Sequence, residues 1–468
     1  MIFNSFEYII FFIITLIIYY IIPTKYRYLV LLIASYIFYG YSNLKYIWLL
    51  IFITILSYFF GYIINKKNSQ KIQKELLFIF VVINIGILIY FKYTAFIFKN
   101  INYIFSTNFT IENIVVPLGL SFFILQAMTY PIDVYRKDVK VEKNIFKFAL
   151  FISFFPQILS GPIGKSKEML HQFSEKHNFN YDKFKKGLIL TFYGFFEKLV
   201  IADCIAKGVN NVYSNLGTYS GFPILIAVIL YSFQIYFDFS SYSNISRGCA
   251  KMLGYELTNN FKNPYLSDSI KSFWSKWHIS LSTWFRDYLY FPLGGSRKGK
   301  VRTNINLLIV FIVSGLWHGT SWNFVIWGLL HGFYQIFERN LKLKSKHKFV
   351  NVVITFILVT FAWIFFRADN INDALYVISN MFNLKFSNIV QQIRSIGLDK
   401  YDLFITVVSI IFIIILENYH YKKNAYKKYL NLPWCMRYII IYILIFSTIV
   451  FGCYGPGFDN SQFIYLGY

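Results

Sequence analysis

Apolar runs of roughly twenty residues recur along the whole chain, and short clusters of lysine and arginine separate them. A helix rising about 1.5 Å per residue needs about twenty apolar residues to cross the hydrocarbon of a bilayer, so this alternation excludes a single soluble core. With 56% hydrophobic and 22% aromatic residues among 468, the composition is that of a polytopic membrane protein, whose first partner is the lipid bilayer. The formal charge of +24 would suit a nucleic-acid binder. The basic residues, however, fall between the apolar runs, as the positive-inside rule requires, and make no continuous stripe; a nucleic-acid partner is excluded. Cys204, Cys249, Cys435 and Cys453 show no CxxC spacing and indicate neither a zinc site nor a disulfide framework.

Reading the basic clusters as cytoplasmic orders the runs. A first span covers about 6–22 and, lacking a basic n-region and a cleavage site, reads as retained rather than as a signal peptide. Residues 28–64, broken only by YGYSNLK, form a hairpin that leaves the N-terminus outside. Residues 76–98 cross outward and 113–135 return. The run 148–164 is too short to span and carries Pro156, Gly161 and Pro162, so it reads as re-entrant and must be buried in protein. Residues 187–206 and 222–246 make another outward and inward pair, and the tail supplies spans near 349–366, 401–418 and 438–455. With no linker and no internal repeat, the expectation is one domain over 1–468. Its fold class is all-α and polytopic, with about 11–12 transmembrane or re-entrant helices.

The block 304–338 reads NINLLIVFIVSGLWHGTSWNFVIWGLLHGFYQIFE, with Arg297, Lys298, Lys300 and Arg302 before it and Arg339, Lys342, Lys344, Lys346 and Lys348 after it. Positive charge at both ends makes it a hairpin with both ends in the cytoplasm and His318 near its apex. A histidine can simply pack, but burial at that depth costs several kcal/mol and marks a functional site. A neutral imidazole there suits general-base work.

In 265–292, Ile270, Trp274, Trp277, Leu281, Trp284 and Tyr288 step by three and four, predicting an amphipathic helix at the cytoplasmic interface with His278 at the edge of its apolar face. Asp238, inside a span, must pair with a cation or hydrogen-bond adjacent serines and tyrosines, and serves either helix packing or catalysis. Arg286 and Asp287 are either part of the same inner network or interfacial anchors. LGGSRKGKVR (293–302) could hold phosphates through glycine amides and basic side chains, although topology alone explains its charge. No GxSxG elbow, HExxH zinc motif or GxGxxG fingerprint occurs in a suitable context, and no metal site is expected.

The string FWSKWHISLSTWFRDYLYFPLGG followed by SGLWHGTSWNFVIWGLLHG resembles the membrane-bound O-acyltransferases, and within them the bacterial alginate O-acetyltransferase branch. SFFILQAMTYPIDVYR, FFPQILSGPI, YFDFSSYSNISRGCAKMLGYEL, NFKNPY and FAWIFFRADN extend the resemblance over nearly the whole chain. It implies helices around a buried tunnel, with His318 as the catalytic histidine, either general base on the acceptor hydroxyl or, in a ping-pong variant, nucleophile, and His278, forty residues upstream, as the second polar position. Asp238, Trp317 and Arg286 are the candidate substrate-binding residues. It further implies acetyl-CoA as acyl donor, no bound cofactor, and an extracytoplasmic partner resembling a GDSL/SGNH esterase that acetylates a polysaccharide or peptidoglycan. The expected location is the bacterial cytoplasmic (inner) membrane. The competing functions are a D-alanyl transferase of the teichoic acid type, which would carry a different insert at LGGSRKGK, a transporter or flippase, and a scaffold. A transporter would show two related halves, and a scaffold would not need His318 and Asp238 at membrane depth.

Overall fold

The structure, a computed structural model, describes residues 1–110, 114–341, 345–423 and 425–454, and every element among them is helical. Among the described residues, seven helical stretches are long and apolar enough to cross a membrane, and Phe6–Ile21 is a shorter apolar helix. The chain is thus an all-α, multi-pass membrane protein. The start of the 113–135 run, together with Lys342 and Lys344 beside the hairpin, lies outside the described residues.

The helices are built inside out relative to those of a soluble protein. In Phe6–Ile21 the buried side chains are Tyr8, Phe12, Thr15 and Tyr19, whereas Ile9, Ile10, Ile13, Ile14 and Ile17 are exposed. Steps of three and four put one stripe against the protein and the other toward lipid. Lipid tails are as apolar as isoleucine, so shape and polar contacts decide what turns inward.

The chain packs as two compact units, Met1–Leu190 with Ser246–Thr258, and Thr191–Ile245 with Asn259–Tyr468. Two of the three passages between units fall inside the helices Tyr181–Phe196 and Phe222–Met252, where no linker composition could signal them.

In the first unit the re-entrant expectation meets a definite structure. Asn144 caps the helix Ile145–Ser153 by accepting from the Phe146 and Lys147 amides, and residues 154–165 then run without helix and wholly buried. Their backbone finds partners in neighbouring helices. Phe155 N donates to Ser35 Oγ (3.1 Å), Gly164 N to Gln126 Oε1 (3.3 Å) and Ser166 N to Thr129 Oγ1 (3.1 Å), while Ser166 Oγ donates to Asp133 (2.6 Å). Irregular backbone at membrane depth survives only with such replacements for water. Gly119 lies against this segment at φ 74°, where a Cβ would press on the Ile158 carbonyl.

The second unit holds the long helix up to Ile245, the hairpin Gly299–His318 and Trp322–Leu341, and the helices Lys348–Arg367, Lys400–Lys423 and Trp434–Phe451. It also corrects the cysteine reading: Cys204 and Cys453 form a disulfide, with Cα atoms 6.0 Å apart and 249 residues apart in sequence. The pairing is tertiary, supported by Cys453 N donating to Leu199 O (2.8 Å), and no local spacing could reveal it.

Candidate active site

The hairpin positions the central residue. Its first helix ends at His318, Gly319 N returns to Gly315 O (3.2 Å), and the second helix starts at Trp322. A Cβ on Gly315 would collide with the Phe324 carbonyl, and one on Gly328 with the Phe311 carbonyl. The two helices therefore meet backbone to backbone, the close approach that small residues permit in membranes. Asn323 Nδ2 donates to Ala368 O (2.7 Å) and ties the turn to the end of Lys348–Arg367.

His318 is only 2% exposed, and its ring is walled by Trp317 (centroids 4.9 Å apart), Trp327 (5.1 Å) and Phe366 (5.3 Å). Trp317 also reaches His278 (6.3 Å), which in turn stands against Phe239 (4.5 Å). One indole thus touches both histidines singled out in the sequence.

The setting of His278 departs from expectation. The predicted amphipathic helix is broken into Ile270–Trp274 and Ile279–Phe285, with His278 between them at φ 42°, ψ 54°. The loop around Asn260 causes the break. Asn260 O accepts from Ile279 N (3.0 Å) and its Oδ1 from Ser280 N (3.1 Å), while Lys262 N donates to Lys276 O (3.1 Å). A left-handed non-glycine costs about 1–2 kcal/mol and persists only where surrounding contacts impose it. The tryptophan stripe packs against protein, not the lipid interface, and His278 is fully buried. Burial pushes its imidazole down to about 3 from the ordinary 6.5, so it is neutral at physiological pH.

Asp238 finds the cation it requires in Lys198, a residue the sequence reading passed over. Lys198 Nζ lies 2.5 Å from Asp238 and 2.9 Å from Asp203, with the lysine side chain buried. Beside it, Glu197 accepts from Ser240 (3.0 Å) and Asn244 (2.8 Å). Asp238 thereby ties Phe222–Met252 to the segment 197–203. Arg286, unlike the two buried histidines, is exposed, and it pairs with Asp287 at 2.8 Å. In LGGSRKGKVR, Gly294, Gly295 and Gly299 all have positive φ, Asn306 Nδ2 holds the Gly295 carbonyl (2.9 Å), and Arg297, Lys298 and Lys300 are exposed.

A further histidine, His331, belongs to the same ring cluster. It is fully buried, accepts from Trp274 Nε1 at its Nδ1 (3.3 Å) and contacts Trp327 (5.1 Å). The depth argument applied to His318 covers it equally, since both lie in one apolar hairpin.

An all-helical membrane protein with a neutral-capable imidazole boxed by aromatic rings at the end of an apolar hairpin is equipped for proton transfer away from bulk water. The chain belongs to the membrane-bound O-acyltransferase family, whose model matches residues 31–378. It is 36% identical over 393 residues to a probable alginate O-acetylase of Azotobacter vinelandii, covering 82% of this chain and 78% of that protein. It is 34% identical over 368 residues to a peptidoglycan O-acetyltransferase of Helicobacter pylori (72% and 70%). To a teichoic acid D-alanyltransferase of Bacillus subtilis it is 29% identical over 282 residues (54% and 69%). The chain is an O-acyltransferase.

Proposed function

We propose that this protein transfers an acetyl group from cytoplasmic acetyl-CoA to a hydroxyl acceptor of the cell envelope, acting within the bacterial cytoplasmic membrane. The acceptor is an extracellular polysaccharide or peptidoglycan, reached through an extracytoplasmic partner of GDSL/SGNH esterase type. The observation that carries this reading is His318, an imidazole enclosed by Trp317, Trp327 and Phe366 at the apex of an apolar hairpin. Similarity to acetylating relatives, longer and higher than to the D-alanyl transferase, favours acetyl as the acyl group.

In the reaction, the acceptor hydroxyl gives its proton to His318 as its oxygen bonds to the acyl carbon. The C–S bond then breaks, and His318 returns the proton to the leaving thiolate. Neutral aromatic walls keep water from competing as the acceptor. Trp317 positions both histidines, His278 stands toward the donor end, and the Lys198–Asp238 pair ties the segment 197–203 to the helix that carries Phe239 against His278. The test uses cells and membranes carrying His318→Ala. The variant should insert at normal levels while alkali-labile envelope acetate, and transfer from radiolabelled acetyl-CoA in isolated membranes, both disappear. Normal acetylation in that variant would refute the reading.

A further inference from the structure

Two N–H donors in the ring cluster have no acceptor among the described residues. Trp274 Nε1 can only donate, so the Nδ1 of His331 that receives it is unprotonated, and the neutral ring carries its proton on Nε2. That Nε2 is buried and has no hydrogen-bond partner among the described residues, and the same holds for Nε1 of Trp327. Both side chains are fully buried. The two rings are in edge contact with each other (5.1 Å), and Trp327 is equally in edge contact with His318 (5.1 Å).

An unsatisfied buried donor costs about 1–3 kcal/mol, so two together beside the catalytic imidazole call for a ligand that supplies an acceptor. A carbonyl oxygen has two lone pairs and accepts two such bonds. Phe273, Phe311, Trp363 and Tyr334 also surround His331; the Trp363 indole N–H is committed to the Tyr265 hydroxyl (3.2 Å), and no hydrogen bond from His331 Nε2 to the Tyr334 hydroxyl is formed among the described residues. In such low-polarity surroundings a hydrogen bond to developing charge is strong.

We propose that His331 Nε2–H and Trp327 Nε1–H bind the carbonyl oxygen of the acyl group and stabilise it as an oxyanion. This rests on the acyl-transfer reading above. When the acceptor oxygen bonds to the acyl carbon and its proton moves to His318, the carbonyl π pair withdraws onto oxygen, where the two N–H groups receive it. When the C–S bond breaks and the thiolate takes the proton back from His318, that pair restores the carbonyl. The Trp274 bond fixes the tautomer on which this depends, so Trp274 is a positioning residue.

The experiment compares His331→Leu, His331→Gln, Trp327→Phe and His318→Ala, assayed for acetyl transfer in isolated membranes and for thermal unfolding in detergent. Glutamine offers both an acceptor for Trp274 and an N–H donor; leucine offers neither. Loss of one oxyanion donor costs about 10²–10³ in kcat. His331→Leu should therefore lose about that much kcat, with KM for the acyl donor changed less than about threefold and an unfolding midpoint near that of the wild type. Trp327→Phe should fall in the same direction, and His331→Gln should recover to within about tenfold of the wild type. Wild-type kcat in both His331→Leu and Trp327→Phe would overturn the proposal, as would a loss that tracks unfolding and is not recovered by glutamine. An inactive His318→Ala beside fully active donor variants sinks only the donor pair. A fully active His318→Ala sinks the acyl-transfer reading and the donor pair with it.

Discussion

His318 and His278 share Trp317 as a neighbour, yet their backbones differ, and so should the consequences of replacing them. His318 ends a helix inside the hairpin, whereas His278 occupies a left-handed break clamped by Asn260. Removing a general base costs about two to four orders of magnitude in rate at any donor concentration. His318→Asn should stay inactive across an acetyl-CoA titration. His278→Asn, which also tolerates left-handed backbone, should retain transfer that improves with donor; parallel titration curves would assign the two histidines one shared role. The same burial gives His278 a signature in pH. Its folded pKa lies near 3, below the unfolded 6.5, so its stabilising contribution is complete above pH 6.5 and is lost as pH falls toward 3. The wild-type unfolding midpoint in detergent should drop between pH 6.5 and 4.5 by more than that of His278→Asn, with a slope of up to about 1.4 kcal/mol per pH unit. At this scale the sequence made His318 legible because depth alone marks an ionisable group. The same argument covers His331, which the sequence reading left out; what no sequence pattern shows is that its ring joins Trp274 and Trp327 in one cluster. Lys198 escaped although it lies inside the 187–206 run, because its partners Asp238 and Asp203 are brought to it only by the fold, Asp238 from a different helix.

Among the elements, the hairpin depends on two glycines that let its helices touch. Gly315→Ala or Gly328→Ala would drive a methyl group into the facing carbonyl, and such overpacking costs about 1–3 kcal/mol. Each should lower the unfolding midpoint and displace His318, reducing transfer. Gly86→Ala, where an added methyl meets nothing within 4 Å, is the matched control and should leave both unchanged. If all three variants were equally stable, close approach would not be what holds the hairpin. Spans and hairpins were readable because hydropathy and charge are local properties of the chain. The break in the 265–292 helix was not, since its cause is Asn260, a residue on a different segment that supplies the amide partners a continuous helix would have used. An unbroken tryptophan stripe is equally compatible with one helix and with two.

On the scale of the whole molecule, the charge pattern and the disulfide constrain the orientation independently. By the positive-inside rule, the basic clusters around 296–302 and 422–428 are expected on the cytoplasmic side. The helix Trp434–Phe451 then carries Cys453 to the outer side, and the outward-crossing segment 187–206 carries Cys204 to the same side. Their pairing in the structure agrees with that map, because disulfides persist in oxidising compartments and not in the cytoplasm. The exposed Cys435, at the opposite end of Trp434–Phe451, falls on the cytoplasmic side. In intact cells carrying Cys435→Ser, a membrane-impermeant maleimide should therefore label neither Cys204 nor Cys453 until an impermeant reductant is added, and should then label both. Ser296→Cys, at an exposed position in the glycine-rich basic loop, should remain unlabelled under both conditions and react only after the membrane is permeabilised. Labelling of Cys204 and Cys453 without reductant would remove the disulfide while leaving the orientation intact. Labelling of Ser296→Cys from outside would invert the orientation, and with it the side from which the proposed acyl donor would enter.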